Sequence, residues 1–479
     1  MSAPDAESPG EYRLHDGRRI QLAASGFRHP AAVSFLADVF TPYEEVSHVA
    51  VSARSLRIGT RRSVYLIHRS QFASASEADR FVSQLAERVA ASPGGAARMA
   101  RMREIDRRAA RAGPQRVTWA FLLLCLAVQI LQLFGHGSVE AAGAFSASLV
   151  RAGELWRLVT ANLLHAAPWL PIHFVLNGLG LLALGSLLEW SIGSARTALV
   201  LAASGIAAMG VGLLVNYEEA LGASGVVMGV FGALVFLELR HGEELPAHWR
   251  LPRAVLWLGV ALQIALEVAA WAFLPIIASG AHVGGFTAGF LVAAAVGRGG
   301  LYREPLSGFV VVGNALAAVL LVASLASATT AWQSGPDWQR RATVLLRRAD
   351  VSPYVLNDVA WLIATGSHPD RGALDAALRL AERAVDETGR SEPNLLDTLA
   401  EVHFQRGESA AAVGVIEEAM RLEPDEPYYG GQRERFLGRR DPDDRPDPPA
   451  VSRSPRGGTG PRRPRNDRPL VPGEPEVGA

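Results

Sequence analysis

Long apolar runs occupy the middle of the chain, and polar segments flank them on both sides. Each run matches the roughly 20 apolar residues that an α-helix needs to cross a hydrocarbon core. Because the runs are consecutive and almost uncharged, burial inside a large soluble protein explains them poorly. The pattern therefore predicts an all-α polytopic membrane domain with seven spans, at residues 117–135, 172–190, 195–216, 221–239, 254–274, 279–297 and 308–330.

In the polar segment before the spans, apolar residues recur with a different spacing. Two stretches, at 48–60 and 63–72, alternate between apolar and polar positions, which is typical of strands. A helix is predicted after them, because Ser74 and Glu77 form a capping box ahead of apolar residues at helical spacing. We therefore expect residues 1–95 to form a small α+β domain, distantly similar to pleckstrin-homology-like domains.

The segment after the spans, residues 336–438, has the pattern of paired helices. LNDVAWLIAT and LLDTLAEVHFQRGE share one pattern, and an amphipathic helix follows each. This arrangement resembles tetratricopeptide repeats, whose unit is about 34 residues, and helices near 344–348 and 428–437 are expected to cap it. A generic helical hairpin domain is the alternative. The tail at 439–479, rich in Pro, Arg, Asp and Gly, is expected to be disordered.

Composition narrows the class of partner and the source. The formal net charge of the 479 residues is zero, so no global field favours nucleic acid as a partner. The chain contains arginine but no lysine, which favours a bacterial source with a GC-rich genome. The one cysteine, Cys125, excludes an intrachain disulfide. The first forty residues lack the apolar segment of a cleavable signal peptide, so the internal spans are expected to direct the chain to the membrane.

Arginine asymmetry predicts the orientation of the spans, because basic residues near span ends stay in the cytoplasm. The densest basic run is the linker at 96–116, which places the domain before it in the cytoplasm. Alternate loops agree with this orientation, and their arginines are Arg196, Arg240, Arg250, Arg253, Arg298 and Arg303. An odd number of spans then places the repeat-like domain outside the cell. The expected location is the lipid bilayer of a bacterial inner membrane.

Four polar side chains lie near the predicted outer ends of three spans. His173 and Asn177 begin the second span, four residues apart and so on one helical face. Ser224 begins the fourth span, and His282 begins the sixth. A lone serine in a membrane commonly bonds its own helix, but polar groups in lipid are costly and usually functional. The matched depth of the four side chains therefore predicts one shared site.

Glycines surround the serine and the second histidine at helical spacing. Glycines four residues apart are by default close-packing faces of membrane helices. If the fourth and sixth spans touch through such faces, Ser224 and His282 come within hydrogen-bonding distance. The glycines beside the serine would also let a substrate backbone approach. The set consists of Gly222, Gly225, Gly229, Gly285 and Gly289.

The chemistry that these side chains suggest is acyl transfer. A serine is a weak nucleophile until a base takes its proton, and neutral imidazole is a suitable base near pH 7. No acid lies near Ser224 or His282 in the sequence, so the pattern predicts a dyad. Asn177, His173 and the serine N–H are candidate oxyanion donors, each worth about 2.7–4 kcal/mol. Glu267 in the fifth span is expected to face a cavity or a helix partner rather than to act in catalysis.

Three motifs carry a resemblance to a known family, and they are HFVLN at 173–177, GASG at 222–225 and AHVGGFTAG at 281–289. Together they resemble the rhomboid family of intramembrane serine proteases, over about 115–300 of this chain. Further matching residues are Trp156, Arg157, Leu163, Leu164, His165, Gly185 and Glu189. The family implies a six-helix core at 117–300, here followed by one helix at 301–332. The chain departs from the family in a longer stretch at 165–173 and in Met228, where some members have an aromatic residue.

The resemblance also implies a role for each polar residue of the site. Ser224 would be the nucleophile and His282 the base, with His173 and Asn177 in the oxyanion site. The substrates would be single-span membrane proteins, cleaved near their outer ends. No metal and no cofactor is implied.

A non-enzymatic alternative stays open. In it the chain is a catalytically inactive, membrane-anchored scaffold whose helical repeat domain binds peptides or proteins. Relatives of that kind usually lack the serine or the histidine, and both occur here. A transporter would show inverted repeats and broken helices in both halves of the membrane domain, and the sequence lacks that pattern.

Overall fold

A computed structural model describes residues 10–446, with gaps at 31–37, 136–137, 152, 167–169, 218, 274–278, 298–300, 302–305, 335–337, 350 and 367–368. The chain forms two compact units. The first comprises Met1–Gly135, Gly143–Phe145 and Trp156–Leu325, and the second comprises His136–Ala142, Ser146–Leu155 and Ala326–Ala479. Arg298, Arg303, part of the stretch at 165–173 and residues 447–479 of the expected disordered tail lie outside the described residues.

A small β-rich domain begins the first unit. Its strands are β1 Glu11–Arg13, β2 Arg19–Leu22, β3 Gly26–His29, β4 Val39–Pro42, β5 Val46–Val51, β6 Ser55–Thr60 and β7 Val64–His68. They form two antiparallel sheets, ordered β1-β2-β3-β4 and β5-β6-β7. The two stretches predicted as strands are confirmed, since they contain most of β5 and all of β6 and β7.

Helix α1, Ala75–Ala91, packs on these sheets, and α2, Gly95–Ala109, follows it. The predicted cap of α1 is confirmed, because the Glu77 N–H donates to the Ser74 hydroxyl at 3.1 Å. The core between α1 and the sheets includes Ile20, Phe27, Leu56, Ile58, Phe81 and Leu85. Burying side chains of this size stabilises a fold by about 1.5–3 kcal/mol each, so the domain has a core of its own.

Seven helices among the described residues are long and apolar enough to cross a membrane, as the sequence predicted. The first is α3 Arg116–Phe134, and three short helices follow it, α4 Ser138–Gly143, α5 Ala147–Arg151 and α6 Arg157–Thr160. The second span joins α7 Ile172–Gly180, a π-helical turn at Leu181–Gly185 and α8 Ser186–Ile192. The remaining spans are α9 Ser194–Leu214, α10 Ser224–His241, α11 Arg253–Phe273, α12 Ser279–Val296 and α13 Gly308–Ser334.

Helix α10 lies at the centre of the membrane core. It packs against both α9 and α12, and it is the most buried of the seven spans, whereas α11 is the least buried. Small residues allow this packing, because α10 presents glycines to both neighbours. Close backbone approach at these glycines therefore adds to the packing of large α10 side chains such as Val230 and Leu237.

The connection from α10 to α11 packs against the β-rich domain. Arg250 in this connection is buried, and its guanidinium donates to the Glu238 carboxylate of α10 at 2.6 and 2.8 Å. The same guanidinium donates to the Thr60 carbonyl at 3.0 Å, and the Ala247 N–H donates to Nδ1 of His48 at 3.1 Å. Arg250, which the sequence pattern indicates only as a charged loop residue, thus joins the β-rich domain to a membrane helix.

Helical hairpins form most of the second unit. Its helices after the last span are α14 Trp338–Arg347, α15 Pro353–Ala364, α16 Arg371–Glu387, α17 Pro393–Gln405, α18 Ser409–Leu422 and α19 Pro427–Phe436. Alanines in its core let these helices pack closely, and the fully buried ones include Ala360, Ala384, Ala400 and Ala419. The predicted helical character of residues 336–438 is therefore present, and the assignment to tetratricopeptide repeats stays a prediction.

Candidate active site

Ser224 is the first residue of α10. Gly222 precedes it with a φ of +128°, a conformation that L side chains rarely adopt, and the Gly222 N–H donates to the Ala161 carbonyl at 2.9 Å. This turn delays the helix by three residues relative to the apolar run at 221–239. The first N–H groups of a helix lack acceptors within the helix and carry the positive end of its dipole. The serine hydroxyl therefore lies beside N–H groups that can bind an anion.

His282 lies in the first turn of α12. Its Nε2 is 2.8 Å from Oγ of Ser224. This distance is within the normal range for a hydrogen bond between a hydroxyl and an imidazole nitrogen. The structure thus brings together the serine and the histidine that the sequence places in the fourth and sixth spans.

Glycines set the distance between these two helices. A Cβ on Gly285 would lie 2.0 Å from the Gly225 carbonyl oxygen, and a Cβ on Gly289 would lie 1.9 Å from the Gly229 carbonyl oxygen. No side chain fits at such a position, so the backbones of α10 and α12 are in direct contact. Gly229 also faces α9, because a Cβ there would lie 2.0 Å from Oγ of Ser204. The glycines therefore fix α10 on two sides.

A carboxylate on a third helix contacts His282. Oε1 of Glu267 on α11 is 2.5 Å from Nδ1 of His282. The Gln263 amide, one turn earlier on α11, donates to the same carboxylate oxygen and lies 3.3 Å from Nδ1. One expectation needs correction here, because an acid does contact the serine–histidine pair. Glu267 has a helix partner, which was one of the two expectations for it, and that partner is the predicted base.

The sequence contained a signal for this contact. Glu267 precedes the end of α11, at Phe273, by six residues, and His282 follows the start of α12, at Ser279, by three. In two consecutive spans that run in opposite directions, these positions lie at similar depth. A search for acids close to the serine or the histidine in sequence misses such a residue, because it compares chain distance and not depth in the membrane.

His173 and Asn177 lie on α7, and the His173 ring lies beside Gly222, two residues before the serine. Nδ1 of His173 accepts a hydrogen bond from the Ala166 N–H at 3.2 Å, so the ring proton of the neutral imidazole is on Nε2. A Cβ on Gly222 would lie 2.9 Å from that nitrogen, which places an N–H donor beside the turn that precedes Ser224. The Asn177 amide is buried and donates to the His173 carbonyl of the same helix at 2.9 Å.

Other residues of the sequence motifs support the fold. The Glu189 carboxylate on α8 accepts hydrogen bonds from the N–H groups of Val117 and Thr118, both at 2.9 Å. It therefore caps the start of α3, where a negative charge is favourable. The guanidinium of Arg157 is buried and donates to the Ala144 carbonyl at 2.5 Å. These contacts hold the elements around the site and do not reach the serine.

The reacting groups are largely enclosed. The side chains of His282 and Glu267 are 12% and 14% exposed, and Ser224 is half-buried. Hydrogen bonds to charged groups are stronger in such surroundings than in water. No group of three or more His, Cys, Asp or Glu side chains that could hold a metal ion occurs in the part of the chain that the structure describes. The arrangement has the parts needed to deprotonate a hydroxyl and to stabilise an anion next to it.

Comparisons with known proteins match the region that contains this site. The Rhomboid domain family matches residues 152–299. Rhomboid protease GluP of Bacillus subtilis is 28% identical over 315 residues, which cover 64% of this chain and 55% of that protein. RHOMBOID-like protein 5 of Arabidopsis thaliana is 31% identical over 157 residues, or 31% of this chain and 47% of that protein. Putative rhomboid protease YdcA of Bacillus subtilis is 38% identical over 97 residues, or 19% of this chain and 45% of that protein.

The chain spans about half the length of these curated relatives. The family match includes the second to sixth spans and every polar residue of the site described above. The order of the motifs and the helix contacts that they make agree with this match. Residues 152–299 of the membrane core therefore form a region that matches the Rhomboid domain family.

Proposed function

We propose that the chain is an intramembrane serine endopeptidase with Ser224 as nucleophile and His282 as general base. The observation that carries the proposal is the 2.8 Å contact between Oγ and Nε2 across α10 and α12. A hydroxyl within reach of a neutral imidazole can lose its proton as it attacks a carbonyl carbon. The names of two matched relatives include the word protease, which supports the same activity.

The reaction has two halves. Oγ of Ser224 attacks the peptide carbonyl carbon while its proton passes to Nε2 of His282, and the imidazolium then gives that proton to the departing amine. This leaves an acyl-enzyme on the serine. Water attacks the acyl carbon and gives a proton to Nε2, and the proton returns to Oγ as the acid product leaves.

The negative oxygen that forms in each half needs hydrogen-bond donors. We assign this role to Nε2–H of His173, to the amide of Asn177 and to the N–H of Ser224 at the start of α10. The His173 ring is held in the required tautomer by the Ala166 N–H. Each such donor is typically worth about 2.7–4 kcal/mol in the transition state.

The substrates that we propose are single-span membrane proteins. Ser224, His282 and His173 all lie in the first turn of their helices, so the site lies near one face of the membrane core. A peptide bond in an intact helix is protected by the helix hydrogen bonds, so the substrate must unwind locally. Small or helix-breaking residues near the end of the substrate helix should therefore favour cleavage.

The arginine distribution supports a proposed orientation in a bacterial inner membrane. In this orientation the N-terminal domain is cytoplasmic, the site faces the outside, and the helical unit after α13 is also outside. We propose that this helical unit binds a protein or a peptide. The alternative of an inactive scaffold is not favoured, because the nucleophile and the base are both present and in contact.

The test is cleavage by the purified full-length protein in liposomes. A panel of tagged single-span membrane proteins is co-reconstituted, and fragments are followed by gel and mass spectrometry. We expect the wild type to cleave at least one substrate near the end of its membrane helix. Ser224→Ala should abolish that cleavage, and a fluorophosphonate probe should label the wild type but not the variant.

The matched control is Ser191→Ala. Ser191 is another buried serine of the membrane core, but its hydroxyl donates to the Leu187 carbonyl of its own helix at 2.7 Å. We expect this variant to cleave like the wild type. Equal fragment yields from the wild type and from Ser224→Ala would refute the peptidase proposal.

A further inference from the structure

We propose that Glu267 is a positioning residue that holds His282 in the tautomer and orientation needed to accept the Ser224 proton. The site is then a Ser–His–Glu triad assembled from α10, α12 and α11. This proposal rests on the peptidase function proposed above and adds a third residue to it.

Two contacts form a continuous chain across the three helices. Oγ of Ser224 is 2.8 Å from Nε2 of His282, and Nδ1 of the same ring is 2.5 Å from Oε1 of Glu267. An ionised carboxylate only accepts hydrogen bonds, so it requires the proton of the neutral ring to be on Nδ1. Nε2 then presents its lone pair to the serine hydroxyl, which is the arrangement that a general base needs.

The neighbouring amide shows why the tautomer needs a carboxylate. The Gln263 amide lies 3.3 Å from Nδ1 of His282, and a hydrogen bond from it would place the ring proton on Nε2. With its proton on Nε2, the ring could not take the proton of Ser224. The amide instead donates to Oε1 of Glu267. The shorter, charge-assisted contact to the carboxylate therefore decides the tautomer.

The position of the carboxylate also suits the charge that forms during the reaction. When Nε2 takes the serine proton, the ring becomes an imidazolium, and Glu267 faces it with a full negative charge. Both side chains are largely buried, at 12% and 14% exposure, so this attraction is only weakly screened by water. Glu267 itself gains no proton, since the proton travels from Oγ to Nε2 and on to the departing amine.

A purely structural role is the alternative explanation for this acid. An ionisable group within a span is costly unless it has partners, and Glu267 could serve only to join α11 to α12. The two explanations differ in what they predict for an uncharged isostere. A structural link would lower stability and change KM as well as kcat, whereas a positioning residue acts on the chemical step.

The experiment compares Glu267→Gln and Glu267→Asp with wild type in the liposome assay. We expect Glu267→Gln to lower kcat by about 10²–10⁴-fold, with KM within about threefold of wild type. Glu267→Asp keeps the charge and should recover at least about tenfold of that loss. The matched control is Glu189→Gln, the same change at a buried carboxylate that caps α3. It should lower the melting temperature and leave kcat of the folded protein within about threefold.

A spectroscopic measurement tests the tautomer of His282 in the resting protein, independently of the cleavage assay. The chain is labelled with ¹⁵N-histidine, and the His282 signals are assigned by comparison with His282→Ala. We expect Nδ1 to carry the proton in the wild type and Nε2 to carry it, at least in part, in Glu267→Gln.

The outcomes separate this proposal from the peptidase proposal. Full cleavage by Ser224→Ala overturns both. Loss of cleavage in Ser224→Ala together with wild-type kcat in Glu267→Gln overturns only the role of Glu267. An Nε2-protonated His282 in the resting wild type, or no recovery by Glu267→Asp, also overturns it.

Discussion

The Gly285→Ala substitution tests whether the approach of α10 and α12 sets the distance between the serine and the histidine. An alanine Cβ would lie 2.0 Å from the Gly225 carbonyl oxygen, against an ordinary contact of 3.4 Å or more, so the helices must part by roughly 1.4 Å. The obstacle is backbone, which cannot rotate aside as a side chain can. Overpacking of this kind costs about 1–3 kcal/mol of stability.

Most of this increase in the distance between α10 and α12 should also occur at Ser224 and His282. Gly285 follows His282 by three residues, or about 4.5 Å along the helix axis, and Gly225 directly follows Ser224. The Nε2 to Oγ distance of 2.8 Å should therefore grow to about 4 Å, beyond the limit of about 3.2 Å for a hydrogen bond. Since a displacement of about 1 Å can cost on the order of 10²-fold in rate, we expect kcat to fall by roughly 100-fold.

The assay is substrate cleavage in liposomes, with thermal unfolding measured on the same preparation. The control is Gly210→Ala in α9, where an added Cβ meets nothing within 4 Å. Alanine is favoured over glycine inside a helix by about 0.8–1.0 kcal/mol, so this variant should be as active as wild type and no less stable. If folded Gly285→Ala cleaves within about threefold of wild type, the backbone contact does not fix the site.

Three further predictions concern other parts of the first unit. Gly222→Ala places a Cβ 2.6 Å from the His173 ring at a positive φ, so steady-state kinetics should show at least a tenfold lower kcat, by displacement of an oxyanion donor worth about 2.7–4 kcal/mol. Arg250→Met leaves the buried Glu238 charge with only its longer, 3.4 Å contact to Arg253 and should cost about 3 kcal/mol in thermal unfolding, most of which Arg250→Met combined with Glu238→Gln restores. Burial lowers the pKa of His29 below its usual 6.5, so the unfolded chain binds this proton more readily. Calorimetry should show wild-type stability falling as pH drops below 6.5, and a weaker fall in His29→Gln.

The spans were predictable because the membrane imposes a simple rule on composition. A helix such as α3 or α13 must be apolar along about 20 residues, and this signal does not depend on neighbours. The start of α10 was less predictable, since the apolar run begins at Leu221 but the positive φ of Gly222 delays the helix to Ser224. Local backbone geometry, which hydropathy does not encode, decides such boundaries.

Among the polar contacts of the site, some were likewise predictable from the sequence and others were not. Equal depth in the spans was enough to place Ser224 and His282 together. The contact of Glu267 with the same histidine depends on how α11 packs against α12, and chain distance alone gave no indication of it. The burial of Arg250 was also not predictable, because a basic residue in a loop indicates only the orientation of the spans. The contacts of Arg250 with Glu238 and with the β-rich domain depend on the tertiary structure.

The direct backbone contact between α10 and α12 has a consequence for how this site can vary. Where side chains form an interface, a harmful substitution can be offset by a smaller or larger residue opposite it. At Gly285 and Gly289 the opposing surface is a backbone carbonyl, and no substitution can make that group smaller. Second-site suppressors of a substitution at Gly285 or Gly289 should therefore arise elsewhere in the helix bundle. Homologues should vary at the positions around this contact and keep glycine at these two.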